Sequence, residues 1–267
     1  MPPGHSLLER YSPGRGLLHR LDARAKLVLA LATIAALAAT PPGAWPVFGF
    51  IGVLVVVPAV VARVPVSPLL RGLLVALPFM LVVLPSLFTR AGAALFEFHI
   101  WRWTFIGTNE GLDFFLSVVV KAMLSVTVAG LLAMTTPFHR IAAAMRYLHV
   151  PGLLVAIIAS TYRYLFVLAD EAGRLARARS ARSARPSAGH GGTLWWRARV
   201  LGGMIGSLFL RTYERGERIY WAMASRGYDG EVRSLPQPRP SPVAWMLTFS
   251  VIALLLAVEI AARVVWR

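Results

Sequence analysis

The sequence has no cysteine and few charged residues for its length. Of its 267 residues, 15% are charged and 57% are hydrophobic, whereas a soluble domain carries about 25% charged residues. The lack of cysteine excludes disulfides and thiolate metal sites. The lack of charge leaves long stretches that water cannot solvate, and the mean hydropathy of +0.63 agrees with this. The composition therefore predicts a chain that lies largely within a lipid bilayer.

Sequence signatures of catalysis are also missing. No histidine lies three or four residues from another, and there is no HExxH zinc motif. No two carboxylates fall within one apolar stretch, and there is no Gly-x4-Gly-Lys-Ser/Thr phosphate loop. The chain is therefore predicted to bind neither ATP, nor a metal through its own ligands, nor a cofactor. An intramembrane enzyme acting on lipid is the alternative from another class, and it would need acidic or histidine clusters at the interface.

Five stretches are apolar enough and long enough to predict transmembrane helices, because a span needs about 20 mostly apolar residues. Prolines and a glycine at 41–46 separate the first two stretches. Lys121 is the single charge in the interior of the fourth. The predicted spans are 24–41, 45–62, 69–89, 112–135 and 243–258, with the last extending as far as 264.

A different pattern lies between the third and fourth spans. In FEFHIWRWTF at 96–105, charged or polar residues alternate with aromatic ones. A period of two predicts a short β-hairpin, followed by a turn at Gly107-Thr108-Asn109. Trp101 and Trp103 would suit the headgroup interface. An irregular interfacial loop is the alternative.

Residues 137–240 form a basic region, with 16 of the 28 basic residues and only six acidic ones. Helical patterns occur at 137–149, 153–168, 170–185 and about 194–225, and a PSAGHGG linker at 186–192 precedes the last of them. In that last helix Glu214 and Arg218 form an i,i+4 pair. Amphipathic helices of this kind lie on a membrane or under a partner. Its apolar positions share one face: Leu201, Ile205, Leu208 and Ile219.

The distribution of positive charge predicts the orientation, because basic residues stay on the cytoplasmic side. The N-terminal segment and the basic region are strongly positive, whereas the 40–46 loop carries no charge. The N-terminus is therefore predicted inside and the C-terminus outside. The positive-inside rule already explains the arginines, so no nucleic-acid partner is expected. The predicted organisation is a cytoplasmic segment at 1–23, four spans within 24–135, cytoplasmic helices within 136–240 and a last span within 241–267.

Lys121 is the one ionisable residue deep in a predicted span. Such groups are costly in lipid and usually face a bundle interior or water. One interpretation is a structural or gating contact between helices. The other is a lysine that snorkels from a span beginning later than predicted.

Small residues in the long helix at 194–225 form two overlapping small-xxx-small pairs, Gly202 with Gly206 and Gly203 with Ser207. Such pairs let another helix approach closely. Packing against a helix is the favoured interpretation, and a dynamic hinge is the alternative.

Two arginines flanked by small residues close the helices of the basic region. They lie in Ala181-Arg182-Ser183 and Ser225-Arg226-Gly227, and Ala178-Arg179-Ser180 is a competing register for the first. An arginine without steric cover presents a fork that docks on two carboxylate or carbonyl oxygens of a partner. The alternative is charge that keeps the region inside and complements the helix dipole.

Four stretches resemble the T component of energy-coupling-factor (ECF) transporters, specifically of the cobalt/nickel type. The resemblance implies an all-α, multi-pass membrane protein with about five transmembrane helices and a cytoplasmic module of amphipathic coupling helices. The stretches are HRLDARAKL at 19–27, TTPFHRIAAAMRYLHVP at 135–151, TYRYLFVLADEAGRLARARSARS at 161–183 and GSLFLRTYERGERIYWAMASRGYDG at 206–230.

The resemblance also implies partners and roles. A T component links a membrane-embedded substrate-binding (S) subunit to two ATP-binding-cassette ATPases in a bacterial or archaeal cell membrane. Two Ala-Arg-Gly-like tripeptides end its coupling helices and dock on the ATPases; here Ser183 stands for the glycine of the first and Ser225 for the alanine of the second. It implies no cofactor. A T component that serves vitamin-binding S subunits is the alternative within the family.

Overall fold

The computed structural model describes residues 21–61, 72, 74, 78, 80–90, 92–100, 103–182, 193–229 and 242–265. Within these residues the chain forms helices and one two-stranded antiparallel sheet. In chain order the elements are α1 (Ala23–Ala39), α2 (Trp45–Val61), α3 (Ser86–Thr89), β1 (Ala94–Ile100), β2 (Trp103–Thr108), α4 (Asn109–Thr135), α5 (Phe138–Tyr147), α6 (Gly152–Arg182), α7 (Leu194–Ala224) and α8 (Pro242–Val265).

These elements belong to two compact units. The first, called the bundle here, contains α1 to α4, the β-hairpin, α5 up to Ala144, and α8. The second, called the helix pair, contains the end of α5 and the helices α6 and α7.

The described helices make the chain a multi-pass helical membrane protein, as predicted. Three of them are long and apolar enough to cross a membrane: Asn109–Thr135, Gly152–Arg182 and Pro242–Val264. α1 and α2 have 17 residues each, which is about 26 Å at 1.5 Å per residue and slightly less than the roughly 30 Å of a bilayer core. Helices cover four of the five predicted spans, and much of the span at 69–89 lies outside the described residues.

The core of the bundle forms where α1 packs against α4 and α8, and where α2 packs against α4. Large apolar side chains from all four helices are buried there, including Leu37, Ile51, Leu131 and Leu255. The valines on the opposite side of α2 are exposed. Apolar side chains on an outer surface carry no penalty in lipid, because lipid tails are as apolar as they are.

The β-hairpin between α3 and α4 is present, but the predicted turn after it is not. The strands pair Phe96 with Gly107 and Ile100 with Trp103, so Gly107 belongs to β2. The chain then enters α4 directly, because Thr108 Oγ1 accepts a hydrogen bond from Gly111 N at 3.1 Å and caps the helix. Trp101, in the connection between the strands, lies outside the described residues.

The two helices predicted at 153–168 and 170–185 are one continuous helix, α6, of 31 residues. The residues across the predicted break, 169–172, are Ala-Asp-Glu-Ala and include no proline or glycine, so nothing there interrupts the helix. From 152 to 169 the helix carries a single charge, Arg163. α7 matches its predicted range, and the linker at 186–192 lies outside the described residues.

Candidate functional site

Arg226 lies in the turn that ends α7. Gly227 has a φ of +77°, which a glycine adopts without the steric cost of a Cβ. Tyr228 N donates to Met223 O at 3.1 Å, and Gly227 N donates to Ala224 O at 3.0 Å. These two bonds form a Schellman cap. The glycine of the predicted tripeptide therefore turns the chain away immediately after Arg226 and leaves its side chain exposed.

Arg182 is the last residue of α6, and it lies at the other end of the helix pair. One cavity between α6 and α7 is lined by Ala156 and Tyr228 among others, and another by Arg182 and Trp196. The start of α6 therefore lies beside the end of α7, and the two helices are antiparallel. With 31 residues, α7 is about 46 Å long, so Arg182 and Arg226 are separated by roughly that distance.

The middle of the helix pair is joined by Glu171. Its Oε1 accepts a hydrogen bond from Arg211 Nη1 on α7 at 2.7 Å, and its Oε2 accepts one from Arg174 Nε on its own helix at 3.1 Å. These guanidiniums, with the hydrogen bonds from Arg174 contributing most, hold the pKa of Glu171 below its usual value. Glu171 is thus charged at neutral pH and links α6 to α7.

The cavity next to Arg182 is about 850 Å³ and strongly basic. Glu171 is the only carboxylate among its lining residues, and it is already paired. The arginines that line it are Arg174, Arg179, Arg182 and Arg211. Anionic groups of a partner would be attracted to this end of the helix pair.

Both predicted tripeptides expose their arginines, but only one is fully described. Ser183 lies outside the described residues, whereas Ala181, Arg182, Ser225 and Arg226 are all exposed. No side chain in the described parts of the chain pairs with either guanidinium. The competing register centred on Arg179 falls one turn before the end of α6, where the Ser180 hydroxyl donates to Arg177 O at 2.8 Å.

The small residues of α7 have no close neighbour on one side. At Gly202, Gly203 and Gly206, an added Cβ would meet no described atom within 4 Å. The Ser207 hydroxyl donates to Met204 O of its own helix at 2.9 Å. No described helix of this chain uses the predicted close approach, so packing against a helix stays a prediction that concerns a partner.

The apolar positions predicted on one face of α7 divide into two groups. Leu208 and Ile219 are partly buried, whereas Leu201 and Ile205 are exposed. The predicted pair of Glu214 and Arg218 is present at 3.9 Å with both side chains exposed, where such a pair contributes little.

Lys121 makes a contact between helices. Its Nζ donates to Thr40 O, at the end of α1, at 2.6 Å. A contact between helices is thus present, and its structural or gating role stays a prediction. Nearby, Ser117 Oγ accepts a hydrogen bond from Gly43 N at 3.0 Å, so two side chains on one face of α4 bond the turn after α1.

Sequence reasoning missed Glu259 and Arg263 of α8, although both make hydrogen bonds at the end of α1, as Lys121 does. Glu259 is 7% exposed and lies 3.0 Å from Thr40 Oγ1, which donates to it. Arg263 Nε donates to the same carboxylate at 3.2 Å. One sequence feature could have revealed Glu259: it is a carboxylate near the end of the fifth predicted span, where its charge could complement that of Lys121 in the fourth span.

Lys26 was missed as well. It is 9% exposed, and its Nζ donates to Thr135 O at 3.2 Å and to Thr136 Oγ1 at 3.3 Å. This contact joins two of the stretches that carry the family resemblance, although 109 positions separate them in the sequence. Among the described residues, no group of three or more His, Cys, Asp or Glu side chains could hold a metal ion.

Comparison with protein families gives a match over most of the chain. Residues 14–238 match the family model CbiQ, described as cobalt transport protein. This range includes both arginine tripeptides and both lysines.

Named relatives extend the similarity. The chain is 31% identical over 176 residues to the cobalt transport protein CbiQ of Rhodobacter capsulatus, covering 66% of this chain and 70% of the relative. It is 27% identical over 233 residues to the energy-coupling factor transporter transmembrane protein EcfT of Listeria innocua, covering 84% and 85%. The EcfT of Thermosediminibacter oceani is 25% identical over 268 residues and covers 96% and 97%.

Proposed function

We propose that this chain, which belongs to the CbiQ family of cobalt transport proteins, couples ATP hydrolysis to ion import. Its family provides the transmembrane component of ECF transporters. In this proposal two ATPase subunits bind the helix pair, and a membrane-embedded S subunit binds the ion. Closure of the ATPases moves α6 and α7, and these helices move the S subunit. The chain itself is not catalytic.

The observation that carries this proposal is the placement of two similar arginines at opposite ends of an antiparallel helix pair. Each lies at a helix C-terminus, is exposed, and has no partner among the described residues. A separation of roughly 46 Å suits contact with two separate subunits better than contact with one. An arginine fork binds two acceptor oxygens at once, so each helix end provides a firm point of attachment.

The test is the double variant Arg182→Ala/Arg226→Ala. Losing one partner of a desolvated charged contact costs about 2–5 kcal/mol. Each single variant should therefore weaken co-purification of the ATPase pair, and the double variant should nearly abolish both co-purification and metal uptake by cells. Arg→Lys variants should restore little, because an ammonium cannot reproduce the bidentate fork.

Two exposed arginines on the same helices serve as matched controls. Arg177→Ala on α6 and Arg218→Ala on α7 remove a charge without touching a helix end, and exposed charges contribute little. Both should assemble and transport like the wild type. Wild-type assembly by the double variant, together with defects in the controls, would move the coupling surface to the helix flanks.

Cobalt is the proposed cargo, with nickel as the related alternative. The description of the matching family and the name of the Rhodobacter relative support a metal. The names of the EcfT relatives mention no metal, and a T component that serves vitamin-binding S subunits is the alternative. Uptake of labelled Co²⁺, Ni²⁺ and vitamins by cells that express the complete complex distinguishes these cargoes. Vitamin uptake without metal uptake would reject the cobalt assignment.

The proposed orientation has the N-terminus and the helix pair in the cytoplasm and the C-terminus outside. The asymmetry of positive charge supports it. Reporter fusions within 186–192 and after Arg267 test it. If the apolar half of α6 crosses the membrane instead, the reporter within 186–192 will lie outside and the orientation is wrong.

The proposal of a non-catalytic subunit has its own test. The purified chain should not hydrolyse ATP, since it has no Gly-x4-Gly-Lys-Ser/Thr loop. ATP turnover that survives rigorous removal of the ATPase subunits would contradict the assignment.

A further inference from the structure

Lysine occurs only twice among the 28 basic residues of the chain, at positions 26 and 121. Both lysines lie in the bundle, one on α1 and one on α4. Lys26, near the start of α1, bonds Thr135 O at the end of α4. Lys121 of α4 bonds Thr40 O at the end of α1. The two helices are therefore antiparallel, and each sends an ammonium group to the C-terminal carbonyls of the other.

These carbonyls need partners. The last four carbonyls of a helix have no intrahelical donor, and lipid has none to offer. α1 is only about 26 Å long, so at least one of its ends lies within or close to the hydrocarbon core of roughly 30 Å. A positive charge at a helix C-terminus is also favoured by the helix dipole. Each lysine supplies both a hydrogen-bond donor for these carbonyls and a positive charge at the helix C-terminus.

Other side chains complete the two caps. At the end of α1, Arg263 Nη2 lies 3.4 Å from Ala39 O and donates to it, and the nearby carboxylate of Glu259 balances the added positive charge. At the end of α4, the Thr136 hydroxyl shares the ammonium of Lys26 with the Thr135 carbonyl. The cap of α1 thus involves α8 as well, which ties the last helix of the chain to the first.

We propose that Lys26 and Lys121 are reciprocal caps that fasten α1 and α4 into one antiparallel unit and fix the backbone from which α5 begins. They are positioning residues. α5 starts at Phe138, two residues after Thr136, so the Lys26 cap holds the chain at the point where it leaves α4. Nothing in the local sequence around either lysine requires this pairing; it arises from the contact of the two helices.

The choice of lysine over arginine follows from the space available. An ammonium is compact and directs three donors from one point, whereas a guanidinium is a wide planar fork. Lys26 is buried, so a wider planar group at its position should require its neighbours to repack. Arg182 and Arg226 of the helix pair, in contrast, are exposed. Replacing either lysine by arginine should therefore weaken the cap although the charge is retained.

The absence of cysteine makes a direct test practical, because introduced cysteines are the only labelling sites. Spin labels at Leu31 and Ala129 report on the Lys26 end, and labels at Ala35 and Met123 report on the Lys121 end; all four residues are exposed. Distance distributions are measured on the full chain in lipid nanodiscs. The wild type should give one narrow distribution for each pair.

Lys26→Met and Lys121→Met should each broaden the distribution at the affected end and lower the unfolding temperature by about 5 °C. The arginine variants should broaden the same distributions to a smaller extent. The control Arg218→Met, on exposed α7, should change neither label pair. Narrow distributions and unchanged unfolding temperatures in both methionine variants would overturn the inference. A defect in only one of them would reject reciprocity.

A second variant keeps the test decisive if Lys121→Met folds poorly. When Lys121 is lost, the buried carboxylate of Glu259 keeps only Arg263 as a nearby cation. Removing that carboxylate as well, in Lys121→Met/Glu259→Gln, should therefore recover part of the lost yield and unfolding temperature. A double variant that is worse than the sum of the single variants would contradict a shared cap.

The consequence for transport rests on the proposed function. If Lys26 fixes the start of α5, Lys26→Met should still bind the ATPases through Arg182 and Arg226 but should lose metal uptake. Full uptake by a variant whose labels show a loosened α1–α4 contact would reject this consequence alone. Failure of the proposed function itself is recognised separately, by wild-type assembly of the Arg182→Ala/Arg226→Ala variant.

Discussion

The bundle and the helix pair use charged residues in opposite ways. In the bundle, Lys26 and Glu259 are almost fully buried and bond backbone carbonyls or neighbouring side chains. In the helix pair, Arg211 and Arg218 are exposed, and they pair with carboxylates of the same unit. Lipid offers helix ends no donors, so the bundle must supply them from its own side chains. The helix pair instead exposes Arg182 and Arg226, whose guanidiniums a partner can reach.

This contrast explains why the number of charges is a poor guide to their importance. The many arginines of the basic region support its proposed place on the cytoplasmic side. The few ionisable residues of the spans determine how the helices are joined. If the bundle is the more tightly constrained of the two units, substitutions within it should have the larger effects.

The largest expected effect concerns Gly111, at the start of α4. An added Cβ would lie 2.7 Å from Leu87 O and 2.9 Å from Thr108 Oγ1, which is too close without movement of the backbone. Gly111→Ala should therefore destabilise the chain by about 1–3 kcal/mol, the usual cost of overpacking. Thermal unfolding of the purified chain measures this.

Gly49 of α2 is the matched control, because an added Cβ there meets no described atom within 4 Å. Gly49→Ala should stabilise the chain by roughly 0.5–1 kcal/mol through helix propensity. Equal effects of the two substitutions would show that the contact between α3 and α4 is not tight.

The second prediction applies the same comparison to the helix pair. Gly227→Ala forces a Cβ into the left-handed region at φ +77° and should cost about 1–2 kcal/mol. It should also weaken ATPase co-purification, because the turn that exposes Arg226 is disturbed. Gly216→Ala, inside α7 with open space around it, should be stabilising instead. If Gly227→Ala unfolds and assembles like the wild type, the cap does not position Arg226.

Several features of the fold could be predicted from local sequence alone. The break between α1 and α2 follows from prolines and a glycine at 41–46, and Gly43 indeed has a φ of +83°. The β-hairpin followed from its period of two. The division of α6 at 168–170 was wrong, because the charged residues Asp170 and Glu171 do not end a helix.

The functional residues differ in the same respect, because only some of them carry a local sequence pattern. The arginines at the helix ends carry a local pattern, and it singled out Arg182 and Arg226. The contact of Lys26 with Thr135 joins residues 109 positions apart, and no local pattern marks such a pair. Glu259 was missed because the charge-free part of the fifth span stops at Val258, and no local pattern links the next residue to α1. What sequence reasoning lacked was knowledge of which helices are neighbours.

The third prediction concerns the turn between α5 and α6, where His149 has a φ of +60°. His149 N and Val150 N bond the last carbonyls of α5 at 3.2 and 3.3 Å, in the arrangement that usually ends with glycine. His149→Gly should relieve the strain and stabilise the chain by roughly 0.5–1 kcal/mol, the net of a left-handed penalty and the entropy of glycine. His139→Gly, within α5, should destabilise by a similar amount. The same sign for both would show that the turn is unstrained.

The smallest expected effect is the pH dependence of the bridge between α6 and α7. The pKa of Glu171 is lowered by Arg174 and Arg211, so its folded value lies below its unfolded value. The stabilisation is then fully present above the unfolded pKa, about 4.3 for a glutamate, and is lost as the pH falls through the lower, folded value. The difference in unfolding temperature between the wild type and Glu171→Gln should therefore be constant above about pH 5 and should shrink as the pH falls below the unfolded pKa of about 4.3.

Glu214→Gln is the matched control. Its pair with Arg218 is long at 3.9 Å and exposed, so that variant should unfold like the wild type throughout. A difference for Glu171→Gln that grows on acidification would mean that its carboxylate is not held in the charged form, and that the helix pair is joined by packing alone.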